Sequence, residues 1–169
     1  MSVSMISPSL SAPTLFTIGY EGLDIADFIK CLRDARIHVV VDVRELPLSR
    51  KKGFSKTALR EQLAIAGIGY EHLPALGCPK SIRNQYRCDG DWTLYTQDFL
   101  AYLETQNASV RALAQQSRTT TACLLCFEAD HSMCHRTYVA RAARRFGAPM
   151  IKHLNAKTEL LDQPLLTAA

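Results

Sequence analysis

Residues 121–137 read TACLLCFEADHSMCHRT and join an apolar strand to the first turn of a basic helix. The short apolar run from Thr121 to Phe127 predicts a buried strand. A helix is predicted from Met133 to Phe146, and Gly147 ends it. Because Glu128, two histidines (His131 and His135) and the cysteines Cys126 and Cys134 accompany this turn, it is the best candidate for a functional site.

Four more short apolar runs predict strands, and helical spacing of apolar residues separates most of them. The runs are Leu15–Tyr20, His38–Val43, Ile68–Leu73 and Pro149–Leu154. Strands that alternate with helices favour a parallel sheet with right-handed crossovers. We therefore predict an α/β fold, a single three-layer domain with a mostly parallel five-stranded sheet and helices on both faces. With the first and fourth strands as neighbours, the expected strand order is 3-2-1-4-5, and a ligand is expected at the switch point between them.

The 169 residues have the length of one domain. Residues 14–154 are predicted to form that domain. Residues 1–13, rich in Ser and Pro and without the features of a signal peptide, are predicted to be a disordered leader. Residues 155–169 are predicted to be a tail. Since no apolar run reaches the roughly 20 residues that cross a bilayer, we expect a cytoplasmic protein without a membrane partner.

The formal net charge is +4, and basic residues concentrate in one segment. Between Arg44 and Arg60 there are six Lys or Arg residues, with Glu45 and Glu61 at the edges. This segment favours an anionic small molecule or a nucleic acid as partner, although a solvated loop without a partner is the alternative. The residues predicted to bind the substrate are Gly19, Tyr20, Arg44, Arg50, Lys51, Lys52, His135 and Arg136.

Three residues are candidates for catalysis. Cys134 is expected in the first turn of the last long helix, where free N–H groups and a neighbouring Arg136 lower a thiol's pKa, so it is the candidate nucleophile. The alternative is that the Cys134 side chain packs inward and is structural. Glu128 and Asp42 each follow an apolar strand, where a carboxylate costs free energy unless it is paired or used. Each is either an acid or base in catalysis or the partner of Arg44 or Arg136 in a structural ion pair.

Metal binding is an alternative use of the same turn. Cys126, His131, Cys134 and His135 are all good ligand types. Their spacing matches no common zinc-finger pattern, and two adjacent residues of a helix seldom bind one ion. We therefore predict no metal and no cofactor.

The other cysteines carry weaker signals. Cys31 and Cys123 lie in an amphipathic helix pattern and an apolar strand, and both are predicted to be buried free thiols. Cys78 and Cys88 could join a site or form a labile disulfide, but nothing in the sequence requires either.

One segment, Val41-Asp-Val-Arg-Glu45, resembles the strand-end signature of the rhodanese superfamily. Cys126 has the strand-end position of a sulfurtransferase cysteine. Acidic residues follow it, however, where an oxyanion or a persulfide needs hydrogen-bond donors.

Four motifs together give a more specific resemblance. They are Thr17-Ile-Gly-Tyr20, Asp42-Val-Arg44, Leu124-Leu-Cys-Phe-Glu128 and Cys134-His-Arg136. The chain resembles the bacterial family known as domain of unknown function 488, from about Thr14 to Leu154. This resemblance implies a compact α/β domain with the four motifs gathered at one site, and it brings no established reaction.

These observations favour a small enzyme that acts on a phosphate-bearing substrate, a nucleotide or a nucleic acid. A carboxylate beside arginines suits a glycosidase, and a cysteine–arginine pair suits a hydrolase of phosphoesters. One alternative is a module that binds nucleic acid without turnover. The other is a cysteine-based protein of rhodanese-like or redox type.

Overall fold

The computed structural model describes residues 13–163, in which a six-stranded sheet forms the middle layer. The strands are β1 Leu15–Gly19, β2 Val39–Asp42, β3 Gly69–His72, β4 Ala122–Cys126, β5 Ile151–Leu154 and β6 Glu159–Leu161. Their order is β3-β2-β4-β1-β5-β6, and β6 alone is antiparallel to its neighbour. The predicted α/β class and mostly parallel sheet are confirmed. The predicted leader lies outside the described residues except for its last one.

Two details of the sheet differ from the expected arrangement. The first and fourth strands are neighbours as predicted, but β4 lies between β2 and β1. Every residue of β1 and of β4 is buried, as expected for the two central strands of a sheet covered on both faces. Residues 159–161, within the predicted tail, form the sixth strand, which pairs with β5.

Helices cover both faces of the sheet. The helices are α1 Ile25–Asp34, α2 Lys56–Ile65, α3 Lys80–Asp89, α4 Trp92–Glu104, α5 Asn107–Ser117 and α6 His135–Arg145. Helices α1 and α2 pack on one face against Cys123 and Leu125 of β4, and the other four pack on the opposite face, toward Leu124. Within residues 13–163, no helix has both the length and the apolar character that crossing a membrane requires.

Helix α3 lies in a segment, residues 75–91, whose glycine and proline residues predict irregular structure from the sequence alone. Pro79 is the N-cap of this helix, and Gly90 is its C-cap with a φ of 67°. Proline before the first turn and glycine after the last are the residues that helix ends favour, so the same residues that break a pattern also delimit a helix.

A buried polar network ties β6 to the sheet. Arg141 of α6 donates to both carboxylate oxygens of Asp162, at 3.0 and 2.9 Å. His153 Nε2 lies 2.9 Å from the same carboxylate, and His153 Nδ1 lies 2.7 Å from Thr17 Oγ1. Because each of these groups has a partner of its own, the network has the character of a structural anchor.

Candidate functional site

The loop after β4 is held against the end of β1. The backbone N–H groups of Tyr20 and Glu21 donate to the carbonyls of Cys126 and Phe127, at 3.2 and 2.8 Å. The Glu21 carboxylate accepts from the backbone N–H of Ala129 at 2.9 Å. The chain around Glu128 therefore continues the sheet pairing beyond both strands, which fixes where its side chain emerges.

Arg136 holds the same loop from the other side. Its side chain is fully buried, and its guanidinium donates to the backbone carbonyls of Glu128 and Ala129. Its Nε donates to Thr17 Oγ1 at 3.2 Å. The sequence predicted that Arg136 binds the substrate anion. In the structure its N–H groups donate to acceptors within the protein, and Arg136 does not line the cleft at the ends of the strands. Neither Asp42 nor the Glu128 carboxylate is its partner.

Gly19 lies against the backbone of Glu128. A Cβ on Gly19 would lie 1.7 Å from the carbonyl oxygen of Glu128 and 2.4 Å from its carbonyl carbon. Both contacts are with backbone, which cannot rotate away as a flexible side chain can. Glycine at this position is required for the close approach of the two chain segments.

Replacing Gly19 with alanine is therefore expected to lower the free energy of unfolding by about 3 kcal/mol, the upper part of the range for overpacking a core. Urea unfolding followed by circular dichroism measures this. Gly69→Ala is the matched control, because a Cβ on that strand glycine has its nearest neighbours at 3.4 Å. If the two variants are equally stable, the Gly19–Glu128 contact is not a constraint.

Asp42 and Arg44 form a buried pair at the end of β2. Arg44 donates through Nε and Nη2 to the two carboxylate oxygens of Asp42, at 2.9 and 2.6 Å. Tyr70 donates its hydroxyl to Asp42 at 2.7 Å. Arg44 Nη1 donates to the hydroxyl of Tyr20 at 3.2 Å and to the carbonyl of Phe54 at 2.9 Å. Four of the five N–H groups of this guanidinium therefore have acceptors within the described part of the chain, and the second hydrogen on Nη2 has none there.

Burial and the contacts with Asp42 shift the pKa values of Arg44 and Tyr70. Burial alone lowers the pKa of Arg44, but hydrogen bonds and the charge of Asp42 outweigh burial and raise that pKa. Burial raises the pKa of Tyr70, and its hydrogen bond to Asp42 raises it further. Asp42, a predicted catalytic residue, is fully buried with its oxygens facing these partners.

Four reactive side chains meet where β4 ends and α6 begins. Glu128 Oε2 lies 3.0 Å from Cys126 Sγ and 3.2 Å from Cys134 Sγ. His135 Nδ1 lies 3.6 Å from Cys126 Sγ, and its Nε2 lies 2.8 Å from the carbonyl oxygen of Val43. We call Cys126, Glu128, Cys134 and His135 the strand-end cluster.

Burial and mutual contact shift the pKa values within this cluster. Burial raises the pKa of Glu128, and the charge of Cys134 raises it further. Burial alone raises the pKa of Cys134, but contacts with Cys126 and His135 outweigh burial and place it well below its ordinary value. The hydrogen bond with Cys134, followed by burial, raises the pKa of Cys126. For His135, burial alone lowers the pKa, but contact with Cys134 outweighs burial and raises it.

A cleft of about 670 Å³ opens above the carboxyl ends of β1, β2 and β4. Cys126, Glu128 and His135 lie in its wall, whereas Cys134 is buried beneath and does not line it. Because a nucleophile must reach its substrate, this placement favours a supporting role for Cys134 over the nucleophilic role that the helix position indicated.

Of the basic residues that were predicted to bind the substrate, some line the cleft and others do not. Arg44 and Arg50 line the cleft. Lys51 Nζ lies 3.4 Å from the carbonyl oxygen of Tyr20 and 5.8 Å from the centre of the Phe54 ring, outside the cleft wall. Lys52 is exposed and does not line the cleft. Tyr20 lines the cleft, but one face of its ring already stacks on Phe54 at 4.4 Å.

Helices α3 and α4 supply further cleft residues, among them Trp92, whose ring the sequence offers, with that of Tyr20, for stacking on a base. Arg83, Tyr86 and Arg87 line the cleft from α3, and Trp92 and Tyr95 line it from α4. Arg83 forms an ion pair with Glu45, whereas Arg87 forms none in the described part of the chain. Positions 83, 86 and 87 have helical spacing, and that spacing was the available signal.

Comparison with known proteins gives one match. The family model described as "Domain of unknown function DUF488" matches residues 24–143, which include β2, β4 and most of α6. No curated protein and no solved structure matches the chain. The match spans more than half of the chain and includes the end of β2 and the whole strand-end cluster. The chain belongs to the family of proteins with domain of unknown function DUF488.

Proposed function

We propose that this protein is a small enzyme that acts on a phosphate-bearing substrate, a nucleotide or a nucleic acid, in the cleft above β1, β2 and β4. The observation that carries the proposal is the composition of the cleft wall. Guanidinium groups, aromatic rings and the Glu128 carboxyl group line one cavity. Each of these groups suits a different part of a nucleotide.

The arginines suit the phosphate. Arg50 follows β2 and Arg87 lies on α3, both are exposed, and neither forms an ion pair among residues 13–163. Planar guanidinium groups bind phosphate oxygens through paired, charge-assisted hydrogen bonds. The remaining N–H of Arg44 adds a third donor near the floor of the cleft.

The aromatic and apolar residues around the opening of the cleft suit the base of a nucleotide. Trp92 is partly exposed at the cleft, where one face of its indole stacks on Tyr95 at 4.6 Å. Leu46, Leu48, Phe127 and Met133 line the cleft with between 40% and 77% of their surface exposed. Apolar surface that is kept exposed around a cavity marks a place where a ligand or partner binds. Stacking of a base on an aromatic ring contributes roughly 1–3 kcal/mol.

The positions of the reactive groups favour Glu128, rather than Cys134 together with Arg136, as the group that takes part in catalysis. Arg136 makes its hydrogen bonds to backbone carbonyls, and Cys134 is buried below the cleft, so the two do not meet a substrate together. Glu128 is partly buried in the cleft wall, where a carboxyl group can give or take a proton. Cleavage of a glycosyl bond therefore suits this cleft better than cysteine-based phosphoester hydrolysis does.

A cytoplasmic location is part of the proposal, and it suits six cysteines that are all free thiols.

A screen of nucleosides, nucleotides and short oligonucleotides by thermal shift tests the proposal. A ligand at 100 times its Kd stabilises the folded state by about 2.7 kcal/mol, which raises the melting temperature by several degrees. The stabilising ligand is then incubated with the protein and the mixture is separated by chromatography. A new product supports the enzyme. A ligand that binds and is recovered unchanged supports the binding module, and no shift with any phosphate-bearing compound contradicts both.

A further inference from the structure

The strand-end cluster has the donor set and the spacing of a metal site. Cys126 ends β4, Cys134 precedes α6 and His135 begins it, and all three are buried. Their two sulfur atoms and one ring nitrogen all lie within 4.8 Å of one another. Two thiolates and one imidazole are the ligands that zinc prefers among the common divalent ions in proteins.

The distance from Cys126 to His135 agrees with a tetrahedral zinc centre. With Zn–S near 2.3 Å and Zn–N near 2.05 Å, a sulfur and a nitrogen ligand are about 3.6 Å apart. The observed distance from Cys126 Sγ to His135 Nδ1 is 3.6 Å. Little movement is needed for these atoms to share one ion.

His135 is oriented as a metal ligand is. The acceptor at its Nε2 is the carbonyl oxygen of Val43, at 2.8 Å, and a carbonyl cannot donate, so Nε2 carries a hydrogen. In the neutral ring, Nδ1 then presents its lone pair toward the two sulfur atoms. Histidines that bind zinc almost always donate their second ring N–H to a carbonyl or a carboxylate in this way.

The backbone removes the objection that adjacent residues of a helix diverge. Successive residues of an α-helix point about 100° apart. Cys134, however, is the N-cap of α6 and has an extended backbone, with φ −140° and ψ 137°. His135 is the first helical residue. The change of conformation between the two lets both side chains turn toward Cys126.

We propose that Cys126, Cys134 and His135 bind one zinc ion, with the fourth coordination position on the cleft side beside Glu128. Three protein ligands with one open position are the arrangement of catalytic zinc sites, in contrast to the four protein ligands of structural sites. The proposal concerns ion binding, and it does not depend on whether the cleft turns over a nucleotide.

Metal analysis and cobalt substitution of the full chain test the proposal. Protein purified without chelators is expected to carry about one zinc ion per chain by elemental mass spectrometry. After the zinc is removed, added Co²⁺ is expected to give thiolate-to-cobalt absorption in the near ultraviolet and the visible bands of a tetrahedral site. Because this spectrum is read on the wild-type chain, the test does not depend on how well a variant folds.

Variants then identify the ligands. Cys126→Ser and Cys134→Ser are each expected to lose the cobalt spectrum and to weaken zinc binding by at least about 100-fold in competition with a chromogenic chelator. Cys88→Ser is the control, since Cys88 is exposed on α3, and it is expected to bind zinc as the wild type does. The proposal is overturned if the wild type takes up neither zinc nor cobalt, or if the two serine variants bind as tightly as the control. A disulfide between Cys126 and Cys134 in the freshly purified protein would also overturn it.

Discussion

Glu128→Gln is expected to reduce turnover of the substrate by 10²- to 10⁴-fold, the range that a positioned proton donor or acceptor contributes. The physical reason is that the amide keeps the size and the hydrogen-bonding oxygen of the carboxyl group but cannot give or take a proton. Substrate affinity is expected to change little, because the arginines and the aromatic rim provide the binding groups in our account. Steady-state kinetics with the ligand identified by thermal shift measures both quantities.

Glu104→Gln is the control for this substitution. Glu104 ends α4 and is exposed, so its loss removes the same charge without touching the cleft. If the Glu128 variant keeps activity within about threefold of the Glu104 variant, then Glu128 is not the proton-transfer group. A melting temperature close to that of the wild type would show that any lost activity is not lost structure.

Asp42→Asn is expected to lower the free energy of unfolding by roughly 3–5 kcal/mol, as when one member of a buried ion pair is removed. The carboxylate accepts from both Nε and Nη2 of Arg44 and from the hydroxyl of Tyr70. An amide has one acceptor oxygen, so its NH₂ group must face a donor, and the guanidinium loses its counter-charge in a buried place. Urea denaturation measures the loss.

Asp34→Asn is the matched comparison for the same chemical change. Asp34 pairs with Lys30 on the surface of α1, with 64% and 73% of the two side chains exposed. A surface pair of this kind contributes at most about 1 kcal/mol. Equal losses from Asp42→Asn and Asp34→Asn would contradict the structural role given to Asp42. Tyr70→Phe, which removes one hydrogen bond, is expected to cost about 1 kcal/mol.

The place where the site forms could be predicted from the sequence because parallel strands end at one edge. Gly19, Asp42 and Glu128 each follow an apolar run, and the structure brings all three to the same rim. The physical signal was strong, since a carboxylate directly after a buried strand needs a partner or a use. The order of the central strands was not accessible in this way, because β1 and β4 are equally apolar and both are neighbours of the switch point.

The contacts that the residues make at that rim depend on backbone details, which the sequence does not show. Arg136 follows Cys134 and His135 in sequence, and charge alone indicated anion binding. The structure turns its guanidinium to the carbonyls of Glu128 and Ala129, a partner choice that no residue pattern encodes. Similarly, a single extended residue at position 134 determines whether the side chains of two adjacent residues can converge.

The cleft residues on α3 could not be predicted from the sequence for a different reason. Helix α3 lies between a proline and a glycine, and the same residues are frequent in loops, so composition alone could not separate a short helix from an irregular segment. With the helix unrecognised, Arg87 had no predicted position relative to Glu128. Its contribution to the cleft follows only from the packing of α3 on α4 through Tyr86 and Trp92.

The most direct test of the central claim, that this cleft binds a nucleotide by both its phosphate and its base, is a calorimetric titration of the wild-type protein with a matched pair of ligands. The pair is the nucleoside 5′-monophosphate that ranks highest by thermal shift and the same nucleoside without phosphate, at an ionic strength of about 0.15 M. The monophosphate is expected to bind at least tenfold more tightly, since one charge-assisted hydrogen bond contributes about 1.5–3 kcal/mol and 1.4 kcal/mol is tenfold in affinity. Equal affinities for the two ligands, or binding of neither, would contradict it.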